Sequence, residues 1–219
     1  LGLSSLENEI DSHHAKIKSK MRDFVNETLG FLLANTHLPD DPTIIDIGSG
    51  NSLIDLVISK YLDQRANFIL VDGNGHNPNP EIHSANYRTF NSWDMVSDAI
   101  RLSGLDHDKF VMRGLDYEFA DPADLIISTN SWGLHYPVDI YLEKAVNALK
   151  PGGYLMLYPV INCYGYIQTV DRILTPIARS PDSDWMRTGN EWQNWEKHFA
   201  NHDPSEPMVY KCLWQKPPA

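Results

Sequence analysis

A mostly parallel, doubly wound α/β sheet preceded by a helical segment is the fold class this sequence predicts, and three observations carry the expectation. The first is Thr43-Ile44-Ile45-Asp46-Ile47-Gly48-Ser49-Gly50, an apolar, largely β-branched run that ends in a carboxylate and a glycine turn. The second is Asn67-Phe68-Ile69-Leu70-Val71-Asp72, whose acid lies 22 residues beyond Gly50. That distance is what a turn, a helix and a returning parallel strand consume. The third is the alternation of further apolar runs with segments of helical periodicity down to about Tyr158.

The elements follow in order. Residues 4 to 36 read as helix: Ser5 caps the first turn, Leu6, Ile10, His14 and Ile17 recur at helical spacing, and Met21, Phe24, Val25, Leu29 and Leu32 continue the stripe past a break near Ser19. His13 and His14 point about 100° apart on a helix, so a solvated face explains them better than a metal does. After the Thr43–Ile47 strand, the Ser52–Ile58 run opens a helix that lasts to about Leu62. Gly73 to Pro80 is a loop, and Ser92 starts a helix through Leu102 with Trp93, Met95 and Val96 in the core. Lys109 to Met112 is a third strand and Asp121 to Asn130 a fourth. A helix beginning near Pro137 buries Ile140, Tyr141, Ala145, Val146 and Leu149; Lys150-Pro151-Gly152-Gly153 ends it and turns into a fifth strand, Tyr154 to Tyr158. Beyond it, Tyr166 to Ile177 and Asn190 to Phe199 read as helices, Ser180 to Asp184 as an exposed loop, and Met208 to Trp214 as a closing strand. The expected organisation is an N-terminal helical cap over residues 1–38 and one globular domain over 39–219.

Composition narrows the function classes. The chain has 219 residues, 42% of them hydrophobic and 21% charged, ordinary values for a water-soluble domain with a single core. No run approaches the roughly 20 apolar residues of a membrane-crossing helix. Twenty-nine acidic against 18 basic residues give a net charge of -11, which repels a phosphate backbone, and no Lys/Arg cluster offsets it. Nucleic acid is therefore not an expected partner. Cys163 and Cys212 lack metal-type spacing and read as reduced thiols, which with the absence of a secretory leader points to the cytoplasm. Leu1 is not a natural start, so fusion to other domains, or an oligomer, stays open.

The chemistry-bearing residues gather at strand ends. Asp72 ends a strand next to the glycine turn, where a carboxylate can accept both hydroxyls of a ribose. Asp116, in the turn after the third strand, faces the same edge and suits either an adenine amine or plain solvent. The fourth strand runs out into Thr129, Asn130, Ser131, Trp132, Gly133, Leu134, His135, Tyr136 and Pro137, a dense set of hydrogen-bonding and proton-handling groups.

Four linked features, Asp46-Ile47-Gly48-Ser49-Gly50, Asp72, Asp124 to Asn130, and Leu149-Lys150-Pro151-Gly152-Gly153-Tyr154-Leu155, together resemble the class I S-adenosylmethionine-dependent methyltransferases across residues 40 to 160. Ser52 departs from that pattern, which often has a third glycine there. The resemblance implies a seven-stranded Rossmann-like sheet with S-adenosyl-L-methionine as cofactor. It implies that Asp46, Gly48, Ser49 and Gly50 hold the methionine end, Asp72 the ribose, and Leu115 and Asp116 the adenine, with Thr129 and Asn130 completing the cofactor edge. Ser131 to Pro137 is similar to the corresponding segment of sugar O-methyltransferases of bacterial polysaccharide pathways. It implies a small-molecule or glycan hydroxyl as acceptor; aromatic rings suit the apolar faces of sugars, which makes Trp132 and Tyr136 candidate substrate-binding residues, with packing in the core an equal account of Trp132. A hydroxyl gains from a positioned base, and His135 is the imidazole near that edge. A metal-dependent enzyme of this kind is expected to carry an acid at the end of the fourth strand; Thr129, Asn130 and Ser131 stand there, so no metal is expected.

Rival readings remain. A nicotinamide-dependent dehydrogenase also uses a glycine turn and a ribose-binding acid, but Leu53 stands where it needs glycine or alanine. An N-methyltransferase would suit Asn130, although Ser131 and Trp132 replace the Pro-Pro-aromatic sequence that follows in such enzymes. A cofactor-binding scaffold domain of a polysaccharide-assembly protein is the alternative from another class.

Overall fold

The computed structural model describes residues 3–73, 92–129, 131–132, 138–161, 165–181 and 209–218. The chain divides into two compact units, Leu1–Thr36 and His37–Ala219. The first is a single helix, α1 (Leu3–Asn35), which contains Ser5 and runs without interruption through Ser19, so neither the expected cap nor the expected break is found.

In the second unit seven strands build one sheet: β1 (Thr43–Ile47), β2 (Asn67–Val71), β3 (Phe110–Arg113), β4 (Ala123–Thr129), β5 (Leu149–Ile161), β6 (Thr175–Pro181) and β7 (Val209–Gln215). Their order is β3-β2-β1-β4-β5-β7-β6. The first five pair in parallel, and β7 runs antiparallel to both β5 and β6. The chain steps outward from β1 to β3 and returns to place β4 on the other side of β1. The C-terminal ends of β1 and β4 therefore flank the point where the winding reverses, the place where open α/β sheets take their ligands. Ile44, Ile45, Ile47, Leu125, Ile126 and Ile127 are all within 1% of full burial, as strands covered on both faces require.

Helices α2 (Leu53–Tyr61), α3 (Trp93–Leu102), α4 (Asp139–Ala148) and α5 (Tyr166–Asp171) connect the strands. In α3 the buried pair is Val96 and Ile100, one turn apart; Met95 lies on the opposite, exposed face, correcting its expected place in the core. In α4 Leu142 is buried and Ile140 is exposed, one position away from the expected stripe.

The Lys150–Gly153 segment is not a free turn. Pairing begins at Leu149 opposite Ala123, then shifts register before Tyr154 meets Leu125. Gly153 packs so closely that an added Cβ would lie 2.9 Å from the Lys150 carbonyl oxygen and 3.1 Å from that of Ala123. Lys150 donates to Asp124 Oδ2 at 2.7 Å, and the same oxygen accepts from the Thr43 backbone N–H at 2.8 Å. One carboxylate thus ties β1, β4 and the start of β5. Lys216, just after β7, closes the far side: its ammonium donates to the carbonyls of Val146 and Leu149 at the end of α4.

The C-terminal third differs most from expectation. The helix predicted over Tyr166–Ile177 stops at Asp171, and Thr175–Pro181 is strand β6, which also takes up Ser180 and Pro181 of the expected loop. Thr175 precedes a proline, which disfavours helix there. The helix predicted over 190–199 lies outside the described residues.

Candidate functional site

The turn after β1 is fixed by the end of β2, since the amides of Gly48 and Ser49 both donate to the Val71 carbonyl, at 2.8 and 3.3 Å. Gly48 has φ 75°, and a Cβ there would lie 1.9 Å from Ser131 Oγ. Ser131, from just past β4, therefore closes directly on the turn. Ser52, where a third glycine is common, also takes the left-handed conformation, with φ 56° and ψ 25°, and is fully buried.

Beneath this turn lies a polar interior. Asp46 on β1 and Asp55 in the first turn of α2 are both 0% exposed, and their carboxyls lie within hydrogen-bonding reach of each other. Burial is the largest force raising the Asp46 carboxyl well above the ordinary range, followed by Asp55 and then Asp72. Burial likewise pushes Asp55 up to about 7. The hydroxyls of Ser49, Ser52 and Ser59 are buried as well and have no hydrogen-bond partner among the described residues. Ser52, Asp55 and Ser59 follow at intervals of three and four, so α2 and its N-cap turn a polar stripe inward beside the buried Ile54, Leu56 and Ile58.

Asp72 faces the same turn: its Oδ2 accepts from the Gly50 amide at 2.7 Å and its Oδ1 from the Gly73 amide at 2.5 Å. A carboxylate has roughly four acceptor positions, so two remain for hydroxyls. The Asp72 amide in turn donates to the Arg113 carbonyl at 3.1 Å, bringing the turn after β3 alongside. There Leu115 is half-buried and Asp116 exposed, its carboxyl folded over Gly114.

At the end of β4, Ser128 Oγ donates to the Ile47 carbonyl at 2.6 Å and accepts from the Trp132 amide at 2.9 Å. Thr129 is half-buried beside it. Trp132 is 0% exposed; its indole N–H donates to the Val138 carbonyl at 3.0 Å and its ring meets Tyr141 edge-on at 5.9 Å. In this position Trp132 packs against Tyr141 and Val138. Tyr141 stands 6.0 Å from Phe119, which stands 5.1 Å from Tyr117, an aromatic row running from the β4 end toward the turn at Leu115. Burial, and then the Asp72 charge, raise the Tyr141 phenol above its ordinary value. Asn130, His135 and Tyr136 lie outside the described residues.

The structure thus brings together Asp46, Gly48, Ser49, Gly50, Asp72 and Thr129 at one sheet edge, with Leu115 and Asp116 adjoining. Sequence reasoning missed Asp55, Ser128 and Tyr141. For Asp55 a signal existed, the spacing of Ser52, Asp55 and Ser59 on one helical face. Ser128 and Tyr141 carried none, since a strand serine and a helix tyrosine are ordinary.

No family model matches the sequence, and no curated protein matches it. Solved structures are similar to it in fold. Coclaurine N-methyltransferase bound to N-methylheliamine and SAH shares 11% identity over 82% of this chain and 68% of its own, with a TM-score of 0.54. The [4+2]-cyclase SpnF shares 14% over 91% of this chain and 80% of its own, with a TM-score of 0.57. The StiE O-MT shares 13% over 88% and 74%, with a TM-score of 0.53. At such identities the likeness is one of fold: the chain has the Rossmann-like fold of the class I methyltransferases.

Proposed function

We propose that this chain binds S-adenosyl-L-methionine across the C-terminal ends of β1, β2 and β4 and transfers its methyl group to a hydroxyl of a sugar or glycan. The observation that carries the cofactor reading is the pair of buried Ser49 and Ser52 hydroxyls, without partners among the described residues, in a turn whose Gly50 amide donates to Asp72. Unpaired buried polar atoms are rare in folded proteins, and a polar ligand at this turn would satisfy them. In this reading the turn and Asp46 receive the amino-acid end of the cofactor, Asp72 accepts from its ribose hydroxyls, and Leu115 and Asp116 border its adenine. When bound, the cofactor supplies a methyl already activated by the sulfonium. What the chain must add is alignment and the handling of one proton. The sequence offers His135 as the candidate base for that proton, Thr129 and Asn130 as cofactor-binding residues, and Tyr136 as a substrate-binding residue.

The acceptor rests on the sequence of Ser131 to Pro137 and its similarity to sugar O-methyltransferases. Two solved structures of the same fold are described as an N-methyltransferase and an O-MT, so an amine or another small alcohol is the nearest alternative. A second reading has its own support: SpnF, described as a [4+2]-cyclase, carries this fold, and a fold alone does not fix methyl transfer. Incubation with labelled S-adenosyl-L-methionine and a panel of glycans, small alcohols and amines separates these readings. Label in a glycan hydroxyl supports the proposal, label only in amines replaces its acceptor, and binding without transfer to any of them favours the scaffold or another chemistry.

A further inference from the structure

Asp46 and Asp55 are two fully buried carboxyls in reach of each other, and no other described residue donates to either. Carboxylates offer only acceptors, so the pair holds together only when one member carries a proton; two bare charges in contact away from water repel strongly. The pair belongs to two elements, β1 and α2, that meet under the glycine turn. The other ionisable groups that face it are Asp72 from the end of β2 and, facing Asp72 in turn, Tyr141 of α4. Independently of the carboxyls, the Ser49 and Ser52 hydroxyls are buried in the same turn without partners among the described residues, so a polar ligand there would satisfy them.

Building on the cofactor site proposed above, we infer that Asp46 and Asp55 share a proton in the free protein and that positive charge taken up at the Gly48–Gly50 turn expels it to solvent. The ligand class is a cation, here the primary ammonium of an amino-acid moiety. Its charge acts across a low-dielectric interior, where it favours the doubly ionised pair. No bond between heavy atoms changes: the carboxyl O–H bond breaks, its electron pair stays on the carboxylate, the proton passes to water or buffer, and the ligand's charge replaces it. The raised carboxyls keep the proton in place near neutrality, so it is there to be released.

The sign follows from linkage. Because the bound state holds fewer protons than the free state, affinity rises with pH, by up to about tenfold per pH unit for one proton released. It levels off once the free pair has lost that proton.

The test is calorimetric titration of the full chain with S-adenosylhomocysteine below neutrality, in phosphate and in imidazole, whose different ionisation heats reveal the proton count. The expected result is release of about one proton per ligand by the natural chain, and near none by Asp55→Asn with binding retained. Saturable binding without proton release, or equal release by Asp55→Asn, overturns the inference and leaves the cofactor site standing. Absence of binding by the natural chain defeats the cofactor reading itself. Should Asp55→Asn fail to fold, the proton count of the natural chain as a function of pH still decides.

Discussion

Ser52 sits in a backbone conformation that costs an L-residue roughly 1–2 kcal/mol, where glycine pays almost nothing. Ser52→Gly should therefore raise stability by up to about 1 kcal/mol after the extra flexibility of the unfolded glycine chain is subtracted, read as a higher urea midpoint with an unchanged slope. Gly48 is the opposite case, because any Cβ meets Ser131 at 1.9 Å. Gly48→Ala should lower the midpoint well beyond the conformational cost alone. Asp72→Ala removes an acceptor from the Gly50 amide and, in the proposed site, from the ribose hydroxyls, and should weaken S-adenosyl-L-methionine by about 1–3 kcal/mol; unchanged affinity in a calorimetric titration removes Asp72 from the site. His135→Ala should slow methyl transfer about 100-fold with cofactor affinity kept if it is the base. At this scale the meeting of the glycine turn with Asp72 was legible, because both follow strand ends at a fixed spacing. Trp132 was not, since an aromatic after a strand reads alike as wall or core until its 0% exposure is known.

Among the elements, β1, β2 and β4 announced themselves as apolar runs ending in polar residues, and their observed bounds lie within two residues of those expected. Strand β6 did not. Its start, with Pro176, read as the end of a helix and its Ser180 and Pro181 as loop, yet it is the last strand of the sheet, and an edge strand tolerates prolines because one side needs no donors. Arg179 there pairs with Asp171, whose carboxyl also accepts from the Trp214 indole at 2.7 Å, contacts far apart in sequence that no local pattern reveals. The Lys150–Gly153 segment was legible as a motif but misread as a turn, because its role depends on Asp124 across the sheet. Asp124→Ala should strand the Thr43 amide and the Lys150 ammonium together, at about 1–3 kcal/mol of stability. Chemical denaturation checks this, and a loss confined to the few tenths typical of surface ion pairs would contradict it.

For the whole molecule, the sheet order was recoverable only through family resemblance, since strand patterns do not say which strand neighbours which. The buried carboxyl pair gives the fold a pH dependence whose sign is opposite to that of an ion-paired acid. Asp55 titrates near 7 when folded and in the ordinary carboxyl range when unfolded, so the unfolded chain gives up its proton first. Asp46, raised by burial in the same direction, adds to this, so stability of the unliganded chain should fall as pH rises from the ordinary carboxyl range toward neutrality, and Asp55→Asn should reduce that slope in urea unfolding. The central claim, however, is that this sheet edge is a cofactor site. Calorimetric titration of the folded chain with S-adenosyl-L-methionine tests it most directly: saturable one-to-one binding that Asp72→Ala weakens is the predicted result, and no saturable binding by the folded natural chain would contradict it.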